Sequence, residues 1–202
     1  MTPPALPTAS CDAPASTGPS HVRARHDRVV TVTRLVVRPA DPAELLDVAR
    51  VRAASWRQGY AGLVPDAELE AMGAPDRLAL CVERMATSTG TSTLVALLDE
   101  RVVGFAAYGA ERSDLAPAVA GRGEAYALYV HPDVWGAGAG HALMTATVAA
   151  LRERGYDAVS LWVLTGNARG IAFYERQGFT PTGEVTASTV DALPEARYAR
   201  PI

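Results

Sequence analysis

The apolar positions of the chain alternate between strand and helix spacing. Val32–Arg38 is rich in β-branched residues and predicts a strand that Pro39 closes. Asp41-Pro42 reads as a helix start, with Asp41 as N-cap and Pro42 at the first helical position. Leu45, Val48, Ala49, Ala53 and Trp56 recur at helical spacing and predict one buried face. The stretch Gly59 to Pro65 breaks that helix, and short helices follow around 66–71 and 75–85. Leu94–Leu98 and Val102–Tyr108 predict a hairpin turning through Asp99-Glu100-Arg101. A loop over 111–123 leads to a strand over 124–130, whose alternation puts Glu124, Tyr126, Leu128 and Val130 on one face. Leu143, Met144, Val148 and Leu151 stripe a helix over about 138–154, stopped by Gly155. A strand over 158–164, a helix over 167–177 and strands over 179–185 and 196–199 complete the chain. This order predicts one mixed α/β domain over 29–202.

Residues 1–28 break the pattern. They carry too few large apolar side chains to offset the entropy of ordering and are expected to form a disordered tail. His21, Arg23, Arg25, His26 and Arg28 form a small basic cluster there, read as a solvated segment. Overall, 49% of residues are apolar and 20% charged, the balance of a globular domain. The net charge of −3 gives no reason to expect a nucleic-acid partner. No apolar run reaches the ~18 residues of a membrane span, and Met1 to Ser20 lacks the apolar core of a secretory signal, so the expected location is cytoplasmic. Cys11 and Cys81 have no metal-ligand spacing and are read as free thiols, with no metal expected.

The candidate chemistry centres on Trp135-Gly136-Ala137-Gly138-Ala139-Gly140 between a strand and a helix. Alternate glycines let backbone approach a ligand, and the helix start behind them offers unpaired N–H groups and the positive end of the helix dipole. That suits a phosphate or pyrophosphate. His141-Ala142 stands where a P-loop needs Lys and Ser or Thr, and the glycine spacing does not match a dinucleotide fingerprint. Alone, the loop also has the lesser reading of a tight strand-to-helix turn with no ligand.

From Glu124 to Phe179 the chain resembles the GCN5-related N-acetyltransferase (GNAT) superfamily. The resemblance is carried by Tyr129-Val130-His131-Pro132, the glycine loop, Leu161-Trp162-Val163, Asn167-x-Arg169, and Phe173-Tyr174-Glu175-x-x-Gly178-Phe179. It extends more weakly from about residue 32 to the end. It implies a mixed, mostly antiparallel sheet of about 6–7 strands flanked by about 4 helices, splayed between the fourth and fifth strands. It further implies acetyl-CoA as cosubstrate, with its pyrophosphate on the N–H groups of Gly136, Ala137, Gly138, Ala139, Gly140 and His141. The pantetheine arm would pair with Leu128, Tyr129 and Val130 and meet Asn167, and Tyr174 would protonate the leaving sulfur. Trp135 departs from the Gln or Arg usual at that place, so the backbone is expected to do the holding.

Asn167 and Tyr174 are seven residues apart and share a helix face, which fits these roles. Asn167 also reads as an N-cap, and Tyr174 as a core aromatic. Glu124 is the candidate general base by resemblance, with a solvated strand-end acid as the other reading. It lies about 13 Å upstream of Leu128 at ~3.3 Å per residue, and a bulge would change its facing. His131 reads as shaping its turn. Trp56, Tyr60, Glu111 and Asp114 are the candidates for the acceptor pocket, Trp56 also reading as core. The expected activity is transfer of acetyl from acetyl-CoA to a primary amine of a small molecule, by direct attack in a ternary complex. A protein N-terminal or lysine acetyltransferase and a non-catalytic acyl-CoA sensor are the alternatives. Dimers are frequent in the superfamily, so a homodimer is compatible with the resemblance.

Overall fold

Asp41 opens the first helix as its sequence requires. In the computed structural model, which describes residues 34–112, 118–188 and 192–202, Asp41 Oδ1 accepts from Ala43 N at 2.8 Å and Glu44 Oε2 accepts from Asp41 N at 2.8 Å. This reciprocal cap starts a 3₁₀ turn, Pro42–Glu44, that runs into α1, Leu45–Gly59. Arg38, at the end of β1 (Leu35–Pro39), grips the same Glu44 at 2.7 and 2.8 Å. The guanidinium holds the Glu44 carboxyl below its ordinary range, more than offsetting the cost of its partial burial.

Helices α2 (Asp66–Ala71) and α3 (Pro75–Thr87) follow, then β2 (Ser92–Leu98) and β3 (Arg101–Ala110). Leu98 pairs with Arg101, so the hairpin turns on Asp99 and Glu100, both at positive φ (48° and 65°). The turn is therefore one residue shorter than the sequence suggested, and Arg101 already belongs to the strand. β4 (Arg122–Val130), α4 (Ala139–Glu153), β5 (Ala158–Leu164), α5 (Ala168–Arg176), β6 (Thr180–Ala187) and β7 (Pro194–Pro201) complete the fold. Among the described residues there are thus seven strands and five α-helices.

The strands form a sheet in the order β1-β2-β3-β4-β5-β7-β6. Every pair is antiparallel except β4 with β5. Val48 and Val51 of α1 pack on Val95, Leu97 and Phe105 on one face. Leu143, Met144, Val148 and Leu151 of α4 pack on Leu94, Ala106, Ala125 and Leu161 on the other. Burying each such side chain contributes about 1.5–3 kcal/mol, which fixes the sheet between two helical layers.

Two irregularities in β4 break the regular sheet. β4 and β5 pair only over Arg122–Glu124 and Ala158–Ser160, after which they part. β4 also carries a bulge: Ala107 pairs with Ala127 and Tyr108 with Ala125, leaving Tyr126 as the extra residue. The bulge corrects the expected alternation. Leu128 lies opposite Ala106 and Ala125 opposite Tyr108, so these share the α4 face, whereas Glu124 and Tyr129 share the α1 face.

The expected tail 1–28, its basic cluster and Asp114 lie outside the described residues. No helix among the described residues is long and apolar enough to cross a membrane.

Candidate active site

The parting of β4 and β5 opens a cavity of about 750 Å³ beside the glycine loop. The loop reaches it through two glycines in left-handed geometry, Gly136 at φ 86° and Gly138 at φ 89°. Gly138 is the N-cap of α4, so the N–H groups of the first helical residues, Ala139, Gly140 and His141, have no partner within the helix. All three residues line the cavity, as do Gly136 and Gly138. Ala137 differs: its N–H donates to the Val134 carbonyl at 3.1 Å, which withdraws one of the expected loop donors. A Cβ at Gly140 would meet the Phe173 ring of α5 at 3.4 Å, an ordinary packing distance, so the loop lies directly against α5.

Trp135 turns back onto the protein. Its Nε1–H donates to the Val130 carbonyl at 2.7 Å, claiming one acceptor at the end of the expected pantetheine ladder. Arg169 stacks on its ring, with the guanidinium carbon 3.7 Å from the ring centroid. Both residues line the cavity, so a side-chain cation stands over a loop that has none of its own. His131 accepts from Asp133 N at 3.4 Å and shapes the turn, as its place before Pro132 suggested. His141 Nδ1 lies 2.9 Å from Gln177 Oε1 on the rim.

Asn167 is both a helix cap and a wall residue. Its Oδ1 accepts from Gly170 N at 2.9 Å and caps α5, and its side of the cap lines the cavity. Tyr174 lines the cavity too, packed edge-on against Phe173 and Phe179. Burial, with the nearby Tyr129, pushes its phenol above the ordinary range, so it holds its proton at neutral pH. Burial likewise raises Tyr60, aided by Tyr129, Tyr174 and Glu195, which marks these four groups as neighbours. Trp56 meets Tyr60 edge-on at 4.9 Å and Tyr129 at 6.4 Å. It is both core and cavity wall.

The two expected acids sit elsewhere. Glu124 is 1% exposed, and both its oxygens are held by Arg112: Oε2 by the backbone N–H at 2.9 Å, Oε1 by Nη2 at 2.5 Å and Nε at 3.1 Å. It does not line the cavity, but Arg112 does. Glu111 is 8% exposed, bound by Arg122, Ser160 and the Val119 N–H. Burial opposes its ionisation, but these three partners outweigh it and hold the pKa below the ordinary range. It braces the β4–β5 junction and is absent from the cavity wall.

Known proteins resemble this chain. A model of the acetyltransferase (GNAT) family matches residues 55–179. The chain belongs to the GNAT family. Its fold agrees: the PaiA N-acetyltransferase of Thermoplasma acidophilum, solved in complex with coenzyme A, superposes with a TM-score of 0.65 at 18% identity, covering 84% of this chain and 99% of that one. The N-acetyltransferase YuaI of Bacillus subtilis is 29% identical over 149 residues, 73% of this chain and 80% of that protein. The mycothiol acetyltransferase of Propionibacterium freudenreichii is 46% identical over 59 residues, which span 29% of this chain and 19% of that protein.

Within this GNAT fold, sequence reasoning missed Glu195. It pairs with Leu164 at the open end of β5 and is a carboxylate on the cavity wall. Burial raises its pKa, with Glu124 adding to the rise and Arg112 opposing it. Arg52 and Arg112 were missed as well. Glu195 and Arg52 carry no motif: each reaches the site through strand order or helix facing that a single sequence does not show. Arg112 had a signal, as the residue directly after the pocket candidate Glu111.

Proposed function

We propose that the protein transfers an acetyl group from acetyl-CoA to a primary amine of a small molecule, by direct attack in a ternary complex. The observation that carries this reading is the cavity where β4 and β5 part, continuous from the glycine loop to Tyr174 and Glu195. The wall fits the cosubstrate: left-handed glycines and a helix start suit a pyrophosphate, Arg169 adds a cation, and an unpaired β4 edge suits the amide-bearing arm. The similarity to mycothiol acetyltransferases supports a small-molecule acceptor.

A thioester is already activated, so the protein must position groups, take two protons from the nitrogen and give one to the sulfur. Glu195 takes a proton from the acceptor ammonium, directly or through one water, freeing the nitrogen lone pair. Its raised pKa brings it nearer neutrality, where a base is most effective. Glu124 acts through Arg112, fixing the guanidinium beside Glu195. The nitrogen attacks the carbonyl carbon, whose oxygen gains charge and is met by N–H groups of β4 that point into the gap. The adduct nitrogen gives up its second proton to Glu195, which has passed the first to solvent, and as the carbon–sulfur bond breaks Tyr174 gives its proton to the sulfur and recovers one from solvent.

The test is thiol release over a panel of amines, paired with calorimetry of acetyl-CoA. Turnover of at least one small amine is expected. Tight acetyl-CoA binding without release from any amine or peptide would make the protein an acyl-CoA sensor. Release from peptides alone would make it a protein acetyltransferase. No acetyl-CoA binding would sink the reading.

A further inference from the structure

Resting on that reading, we infer that the acceptor amine also carries a carboxylate, held by Arg52 and the indole N–H of Trp56. Arg52 and Trp56 are one turn apart on α1, and the guanidinium carbon lies 4.8 Å from the Trp56 ring centroid. Both residues line the main cavity. Both also line a second cavity of about 590 Å³ between α1, α3 and the sheet, so they stand where the two meet.

Their hydrogen-bonding state points to an anion. Trp56 is 7% exposed, and its Nε1–H has no acceptor among the described residues. The Nε1 atom is itself closed off from the cavity, so a small turn of the indole must bring it to a ligand acceptor, and doing so regains the ~1–3 kcal/mol that a buried donor without a partner costs. Arg52 makes no ion pair with a carboxylate among the described residues, and its contact with Cys81 Sγ is a long one at 4.0 Å. The other arginine at this end, Arg112, is bound to Glu124. A carboxylate has two oxygens and can accept from both Arg52 and Trp56.

Charge along the cavity gives the acceptor a direction. Glu195 is the carboxylate on the main cavity wall, and it draws the ammonium end. The neighbouring second cavity continues the positive end: Arg77 and Arg84 line it with Arg52, against Glu68. An acceptor with an ammonium at one end and an anion at the other matches this gradient. A plain alkylamine would leave Arg52 and Trp56 Nε1 unmet, and a polyamine would face Arg52.

The experiment measures kcat/KM by thiol release for α- and ω-amino acids against their amides. The best acid is expected to exceed its amide by roughly tenfold or more, the scale of a charge-assisted hydrogen bond. R52Q should bring that ratio to within about twofold, and R52K should restore part of it. Acetyl-CoA affinity, by calorimetry, reports that each variant is folded. Equal use of acids and amides, or a ratio that survives R52Q, overturns this inference while leaving acetyl transfer standing. No turnover of any amine despite acetyl-CoA binding overturns both.

Discussion

At the loop end of the cavity, a run of about a dozen residues from Val130 to His141 supplies left-handed glycines and a helix start in one stroke. At the acceptor end, Arg52, Trp56, Arg112 and Glu195 come from α1, the loop after β3, and β7. The first end is built mostly of backbone. The second is built of side chains drawn from three separate elements, and each is a point where activity can be tuned. Under the proposed function, the difference predicts that cosubstrate binding and acceptor choice can be altered independently.

The largest test of this division is E195Q. Loss of a positioned base should lower kcat by about 10²–10⁴, with acetyl-CoA affinity little changed by calorimetry. In the parent enzyme the base must be ionised, so kcat/KM falls as pH drops through the Glu195 pKa. Since burial and Glu124 raise that pKa, the acid limb should lie above the ~4.3 of a free glutamate. An acid limb that survives in E195Q would reassign the base.

Next comes a change between the two ends. E111A leaves Arg122 charged and buried and should cost about 3–5 kcal/mol of stability, read as a lower denaturant midpoint. The Glu111 pKa is depressed in the fold, so its contribution is present above the unfolded value and lost as pH falls through the folded one. The variant should therefore lose less stability on acidification than its parent does.

Smaller effects belong to the loop. G138V places a branched side chain at φ 89°, a strain of about 1–3 kcal/mol, and should weaken acetyl-CoA binding about tenfold without moving the acid limb. R169Q removes the stacked cation and should weaken binding by about two- to tenfold, with a flatter salt dependence. Should R169Q cost more than G138V, the loop end would depend on side chains after all.

The same division governs what is legible in the sequence. The α4 stripe, the Asp41 cap, the α5 cap at Asn167 and the glycine loop are set by neighbours a few residues apart, and all stand as the spacing implied. The facing of Glu124 was not legible, because one extra residue at Tyr126 inverts the alternation and only strand pairing reveals it. Glu111 looked like a pocket acid until Arg122 and Ser160, from β4 and β5, claimed it. Glu195 lay in a strand whose place beside β5 depends on the whole sheet order.

The parting of β4 from β5 reaches beyond catalysis. Two strand edges face each other across an internal seam, a place where backbone groups await a partner. Whatever occupies the seam belongs, in effect, to the sheet, and its concentration enters the folding equilibrium. At a hundredfold excess over its dissociation constant it would contribute about 2.7 kcal/mol, enough to change a protein's abundance several-fold. The supply of the acyl donor would then govern how long each molecule survives as well as how fast it works.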